Sequence, residues 1–244
     1  MPKFFVCSDI HSFCTPLKKA LDEKGFDSNN KDHWLIVCGD VFDRGDESEE
    51  VLHFLMSLER KILVKGNHEQ LLLDCIDRGY WYSYDRSNGT FKTICDLTPN
   101  AATFEVACSA AYLKVKDFIG GMVNYFETQN YIFVHSWIPT ISQRGGYHKY
   151  DEDWRNATNN RWQDAMWGNP FDMHMLDLNQ TGKTIVFGHW HCSTGHKMLG
   201  HCDDEFMDAV WEPCYAEGII GIDRCTAYTG EVNVLVLEDE FLEG

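Results

Sequence analysis

The sequence predicts an α/β fold, and three observations carry that expectation. Short apolar runs of strand length recur at 3–7, 34–38, 61–64, 131–134, 184–187, 218–222 and 232–237. Helix-compatible stretches separate the first three runs. Most of the runs end in the same polar punctuation, rich in Gly, Asp, Asn and His.

The near-continuous Val, Ile and Phe content of the runs suits strands buried on both faces. Between them, 13–24 and 47–60 read as helices, and in the second Val51, Leu52, Phe54, Leu55 and Leu58 recur at roughly helical spacing. Strand, helix, strand and helix in succession favour parallel pairing. Residues 76–129, rich in aromatic, Thr, Asn and Ser residues, read as a mostly helical cap inserted beside the site. The stretch 144–169 looks irregular, with Gly145-Gly146 and three tryptophans. The last third reads as strands joined by turns, including a hairpin turn at Tyr228-Thr229-Gly230-Glu231, and 238–244 as a loose acidic tail. A chain of 244 residues can bury one sizeable core, so 1–244 is expected to form one domain.

Lys and Arg number 21 against 38 Asp and Glu, a net charge of −17. That balance opposes binding to nucleic-acid backbone or to anionic membranes. An anionic substrate would need local positive charge from metals or arginines. The ten cysteines are scattered through apolar segments, which suits reduced, buried thiols better than a disulfide scaffold. With no long apolar run near residue 1, the expected location is the cytoplasm.

The strand ends carry the chemistry. After the first run come Asp9 and His11; after the second, Gly39-Asp40-Val41-Phe42-Asp43-Arg44-Gly45; after the third, Gly66-Asn67-His68-Glu69. His135 and then Gly188-His189-Trp190-His191 follow later runs. Carboxyl ends of strands in open α/β sheets converge on one edge, so these clusters point into one site. Imidazole nitrogens with carboxylate and amide oxygens are donors for divalent metals. Asp9 and His11, two apart, can clamp one ion; Asn67, His135 and His189 can supply a second, with Asp40 bridging and His191 returning to the first. Paired ions of this kind activate water for in-line displacement at phosphorus. Arg44 offers a planar fork to phosphate oxygens, and His68, oriented by Asp43, is placed as general acid.

Asp9-x-His11, Gly39-Asp40-x-x-Asp43-Arg44-Gly45, Gly66-Asn67-His68-Glu69, His135 and Gly188-His189 together resemble the motif series of the calcineurin-like metallophosphoesterase superfamily. The Asp-Arg-Gly ending resembles its phosphoprotein phosphatase branch, including the small bacterial and phage Ser/Thr phosphatases. The resemblance implies a four-layer sandwich of two mixed β-sheets flanked by helices. It implies Asp9, His11 and Asp40 on one metal, and Asp40, Asn67, His135 and His189 on the other. Phosphate binding by Arg44 and acid catalysis by His68 with Asp43 complete the set. Manganese is the expected ion, with iron, zinc and nickel as the other candidates.

Three departures from the family pattern stand out. Ser12 occupies a position usually held by Gly, and Ser136-Trp137 follows His135 where Gly-Gly is common. Asn169 stands where a second phosphate-binding Arg is expected two residues after Trp167, which leaves Arg155 or Arg161 to substitute. His191 is a second His in the last motif, a feature of other branches.

The leading expectation is a Ser/Thr phosphatase-like phosphomonoesterase acting on phosphoproteins or small phosphoesters. Symmetrical hydrolysis of diadenosine tetraphosphate is the enzyme alternative. A non-catalytic phosphate-binding module is a third reading, against which the intact Asp43, Arg44 and His68 stand. Cys192, His196, His201, Cys202 and Cys214 match no familiar zinc spacing. Trp81, Tyr82, Tyr84 and Trp162 read as cap core rather than nucleobase platforms, and His33, His53, His148 and His174 as surface or satisfied histidines.

Overall fold

The computed structural model describes residues 1–144 and 146–242. Strands β1 (Lys3–Cys7), β2 (His33–Cys38) and β3 (Lys61–Val64) pair in parallel and alternate with helices α1 (Cys14–Glu23) and α2 (Ser48–Ser57). Helices α3 (Asn67–Arg78), α4 (Ser83–Asn88), α5 (Thr90–Leu97) and α6 (Phe104–Gly120) follow, so the expected insertion is helical. The chain then forms β4 (Phe126–Glu127), β5 (Tyr131–Phe133), a small antiparallel pair of β6 (Ile141–Ser142) and β7 (His148–Lys149), and helices α7 (Asn159–Ala165) and α8 (Pro170–Met175). Last come β8 (Thr184–His191), α9 (Cys192–Met198), β9 (Cys214–Ala216), β10 (Ile219–Asp223), α10 (Thr226–Thr229) and β11 (Leu235–Glu238). The two large sheets have orders β11-β1-β2-β3 and β4-β5-β8-β10-β9. Both are mixed, with β11 antiparallel to β1 and the edge strands β4 and β9 antiparallel to a parallel centre.

Alternation along each strand generates the layers. Phe4, Val6, Ile36 and Cys38 of the first sheet face Phe133, Val186, Ile220 and Ile222 of the second, forming a cluster between the sheets. Their neighbours Phe5, Cys7, Leu35 and Val37 turn outward onto α1, α2, α3, α5 and α6. On the far side, Ile132, Ile185, Phe187 and Ile219 pack against Trp137, Trp154, Trp162 and Phe171. The order is therefore helix, sheet, sheet, helix. Strands covered on both faces need apolar side chains at every position, which is why they read as unbroken runs. The segment 76–129 contributes Ile94, Leu97, Ala111, Val115 and Phe118 to the first outer cluster, so it shares that core.

Several expectations are corrected. The turn at 228–231 is no hairpin, because β10 and β11 belong to different sheets; helix α10 and Gly230 carry the crossing. The last third holds three helices besides its strands. The stretch 144–169 contains β7, a 3-10 turn over Trp154–Asn156 and α7, with Trp154 and Trp162 buried; Gly145 lies outside the described residues. The tail is tied down as far as Phe241: Asp239 accepts hydrogen bonds from the backbone and side chain of Asn130, and Phe241 packs edge-on against Phe4 and Trp34. Glu243 and Gly244 lie outside the described residues. Trp162 stacks on Tyr125 in the core, whereas Trp81, Tyr82 and Tyr84 are exposed, with Arg86 over Trp81 and Arg78 over the two tyrosines. Nine of the ten cysteines are buried. No helix among the described residues is long and apolar enough to cross a membrane.

Candidate active site

Parallel strands place their carboxyl ends on a shared edge, and both sheets do so on the same rim. Asp9 and His11 leave β1, Asp40 leaves β2, Asn67 opens α3 directly after β3, His135 follows β5, and His189 and His191 end β8. The ladder continues past the strands: the amides of Asp9, His11 and Ser12 donate to the carbonyls of Gly39, Asp40 and Val41. Glu69, fully buried, accepts from the amides of Asp40, Val41 and Gly66, tying two loops to the start of α3.

Close approach is built into the backbone. A Cβ at Gly66 would lie 2.2 Å from Asp40 Oδ1, and one at Gly188 would lie 2.1 Å from Asp9 Oδ2, so only glycine fits there. Nine non-glycine residues have positive φ among the described residues, and seven of them are Asp9, His11, Ser12, Asp40, Asp43, Arg44 and His189. Left-handed backbone is costly for side chains with a Cβ and concentrates at functional sites. Ser12 accordingly adopts the conformation that Gly favours, with its hydroxyl 3.0 Å from that of Ser48.

Two groups of ligand atoms form. His11, Asp40 and His68 make one, Asp40, His135 and His189 the other, each within 4.8 Å and sharing Asp40. His11 and His135 each donate Nδ1–H to a backbone carbonyl, of Phe42 and Cys38, both at 2.9 Å. Their Nε2 atoms are thereby left as acceptors. Nε2 of His135 lies 2.7 Å from Asn67 Oδ1, 3.2 Å from His189 Nδ1 and 3.4 Å from Asp40 Oδ1. Acceptors converging this closely call for a cation. The buried carboxylates of Asp9, Asp40 and Asp223 line one cavity in which, among the described residues, Arg44 is the sole Lys or Arg. A divalent metal therefore fits the donor set.

Electrostatics agree. Burial, reinforced by Asp223 and Asp40, pushes the carboxyl of Asp9 well above the usual range. Burial also opposes ionisation of Asp40, but His135, His68, His11 and His189 outweigh it and hold its pKa low. Burial lowers His11 to about 3 despite Asp40, and burial with His135 lowers His189 to about 3, so both imidazoles are neutral at pH 7. His68 differs: burial disfavours its charge, yet Asp40 and Asp43 outweigh it and raise its pKa.

His68 Nδ1 lies 2.8 Å from Asp43 Oδ2, and Asp43 is itself held. Thr90 donates to its Oδ2 at 2.7 Å and Thr93 to its Oδ1 at 2.8 Å, both from buried positions on α5. Arg44, exposed, faces the cavity. Asp9 and His191, both expected on the first ion, line it too but lie outside the two tight groups, His191 with Nδ1 3.0 Å from Glu205 Oε1. No second arginine reaches the cavity from the expected positions: Asn169 caps α8, Arg155 pairs with Glu127, and Arg161 with Asp151. Ser136 donates to the Gly168 carbonyl, while Trp137 is buried.

Sequence reasoning missed Asp223, although it ends an apolar run as the other site residues do. It also missed Thr90 and Thr93, for which no local signal exists, and Glu205.

Residues 2–193 match the family model described as calcineurin-like phosphoesterase. A symmetrical bis(5'-nucleosyl)-tetraphosphatase of Pseudomonas putida is 27% identical over 173 residues, covering 68% of this chain and 54% of the relative. One from Thioalkalivibrio sulfidiphilus is 39% identical over 70 residues, 28% of this chain and 25% of the relative. The chain thus spans about half the length, or less, of these curated relatives. Among solved structures, a cold-active protein-tyrosine phosphatase of a Shewanella species superposes with a TM-score of 0.54 at 17% identity, over 98% of this chain and 76% of that one; this likeness concerns the fold alone.

Proposed function

The chain belongs to the calcineurin-like phosphoesterase family, and from that premise we propose that it is a metal-dependent hydrolase that cuts dinucleoside polyphosphates of the diadenosine tetraphosphate type symmetrically. The observation that carries the hydrolytic reading is the pair of ligand groups sharing Asp40. The substrate reading takes its support from relatives described as symmetrical bis(5'-nucleosyl)-tetraphosphatases.

Asp9, His11 and Asp40, with His191 beside them, would hold one ion; Asp40, Asn67, His135 and His189 would hold the other. Two bound ions supply Lewis acidity and lower the pKa of a water. Arg44 presents its guanidinium to the phosphate oxygens. His68, with Nδ1 engaged by Asp43, would offer the proton of Nε2 to the departing oxygen. We propose manganese as the working ion, the cytoplasm as the location, and one domain for the whole chain.

The motif ending in Asp43-Arg44-Gly45 favours phosphoserine and phosphothreonine proteins as a second substrate class. The test compares diadenosine tetraphosphate, a phosphoserine peptide and p-nitrophenyl phosphate, with and without chelator, in wild type and His68→Asn. Expected are ADP from the dinucleotide, loss with chelator, recovery with Mn, and a fall of ~100-fold or more in the variant, since a positioned acid is worth ~10² to 10⁴. Turnover indifferent to chelator or to the substitution contradicts the mechanism. Faster turnover of the peptide than of the dinucleotide transfers the assignment to the second class.

A further inference from the structure

The cavity at the ligand groups measures about 170 Å³, below the ~300 Å³ at which small-molecule sites begin. It has room for a phosphoryl group but not for the rest of a dinucleotide. The remainder must lie outside, along a surface continuous with the cavity. Trp167 leads to one. Its indole, 53% exposed, stands edge-on to His189 with ring centroids 6.2 Å apart, and it lines both the ligand cavity and a neighbouring groove of about 580 Å³.

The chemistry of that groove suits a neutral, flat group. Trp137, Ile138 and Met173 give it apolar walls beside Trp167, while Ser142 and Asp164 offer polar atoms. Its arginine is already engaged: Arg161 donates to Asp151 at 2.6 Å and to the Thr140 carbonyl at 3.0 Å. A groove whose guanidinium is charge-paired with Asp151 through Nη2, and whose own carboxylate among the described residues is Asp164, is poorly matched to a second phosphate. It is matched to a base and ribose.

We propose that this groove, entered past Trp167, is a nucleoside subsite that receives one end of a dinucleoside polyphosphate while the phosphates occupy the metal site. The inference rests on the dinucleotide reading above. Trp167 forms the boundary: its exposed ring supports the base, and its other side closes the phosphate cavity over His189.

Two measurements test it on the full chain loaded with Mn. The first compares ADP with methyl diphosphate as inhibitors of p-nitrophenyl phosphate hydrolysis by wild type. Stacking of a base on an aromatic side chain is worth about tenfold or more in affinity, so ADP is expected to inhibit about tenfold better or more; equal inhibition overturns the subsite. The second fills the groove with Ser142→Leu together with Ala165→Leu, at a strand and a helix position that line it. The KM for diadenosine tetraphosphate is expected to rise about tenfold, with p-nitrophenyl phosphate kinetics within about twofold. Unchanged dinucleotide kinetics in the filled variant, or a loss confined to a phosphoserine peptide, overturn the proposal. Failure of wild type to cleave the dinucleotide at all is a different result, and removes the substrate reading itself.

Discussion

The two flanks of the rim are closed in opposite ways. On the side of the helical insertion, α5 sends Thr90 and Thr93 into the base of the site, where both hydroxyls bind Asp43, which in turn binds His68. All four side chains are buried. On the other side, between β5 and β8, the exposed ring of Trp167 borders an open groove, and Asn169, where a clamping arginine is common, is spent on capping α8. Both flanks supply metal-type donors to one cavity. On the proposals above, the contrast gives fixed geometry to the side of the proposed proton donor and reception of a ligand to the other.

Removing the fixed geometry gives the larger expected effect. Valine keeps the shape of threonine but not its hydroxyl, so Thr90→Val with Thr93→Val leaves the carboxylate of Asp43 with His68 as its remaining side-chain partner. We expect kcat to fall about tenfold, a part of the ~10² to 10⁴ that a positioned acid contributes, with KM within about twofold and serine at both positions restoring most of the rate. Steady-state kinetics on p-nitrophenyl phosphate decide it; a rate equal to wild type would mean that Asp43 orients His68 unaided.

A smaller effect is expected on the receiving side. Arg155 grips Glu127 at 2.6 and 2.9 Å, with Lys183 also 2.9 Å from that carboxylate. Burial opposes the charge on Glu127, but Arg155 and Lys183 outweigh it and depress its pKa. A depressed carboxylate stabilises the fold fully above its unfolded value, ~4.3, and the contribution is lost as pH falls through the lower folded value. Arg155→Ala should therefore lower Tm at pH 7 by an amount that shrinks below about pH 4, while kcat stays within about twofold. Thermal unfolding across pH tests the first part; a large loss of kcat would show that Arg155 serves the phosphate after all.

Legibility in the sequence followed the range of the interaction. Strands buried on both faces announced themselves as unbroken apolar runs, and Asp9, His11, Asp40, Asn67 and His189 lie at or just beyond the ends of such runs, where composition changes abruptly. Asp223 carried the same signal at the end of β10 and went unread, because no second polar residue of familiar spacing accompanies it. Thr90 and Thr93 act 47 and 50 positions away from Asp43, through a helix whose docking depends on core packing, so nothing local marks them. The supposed hairpin at Tyr228 failed for a related reason. Which sheet a strand joins is decided by the whole sandwich, and β10 and β11 join different ones.

In the proposed mechanism Asp40 lies between two cations. Anomalous scattering from crystals grown with manganese tests this directly: two peaks ~3.5 to 4 Å apart are expected, with Asp40 between them, one against Asp9 and His11 and the other against Asn67, His135 and His189. A single ion, or peaks that leave Asp40 untouched, would contradict it.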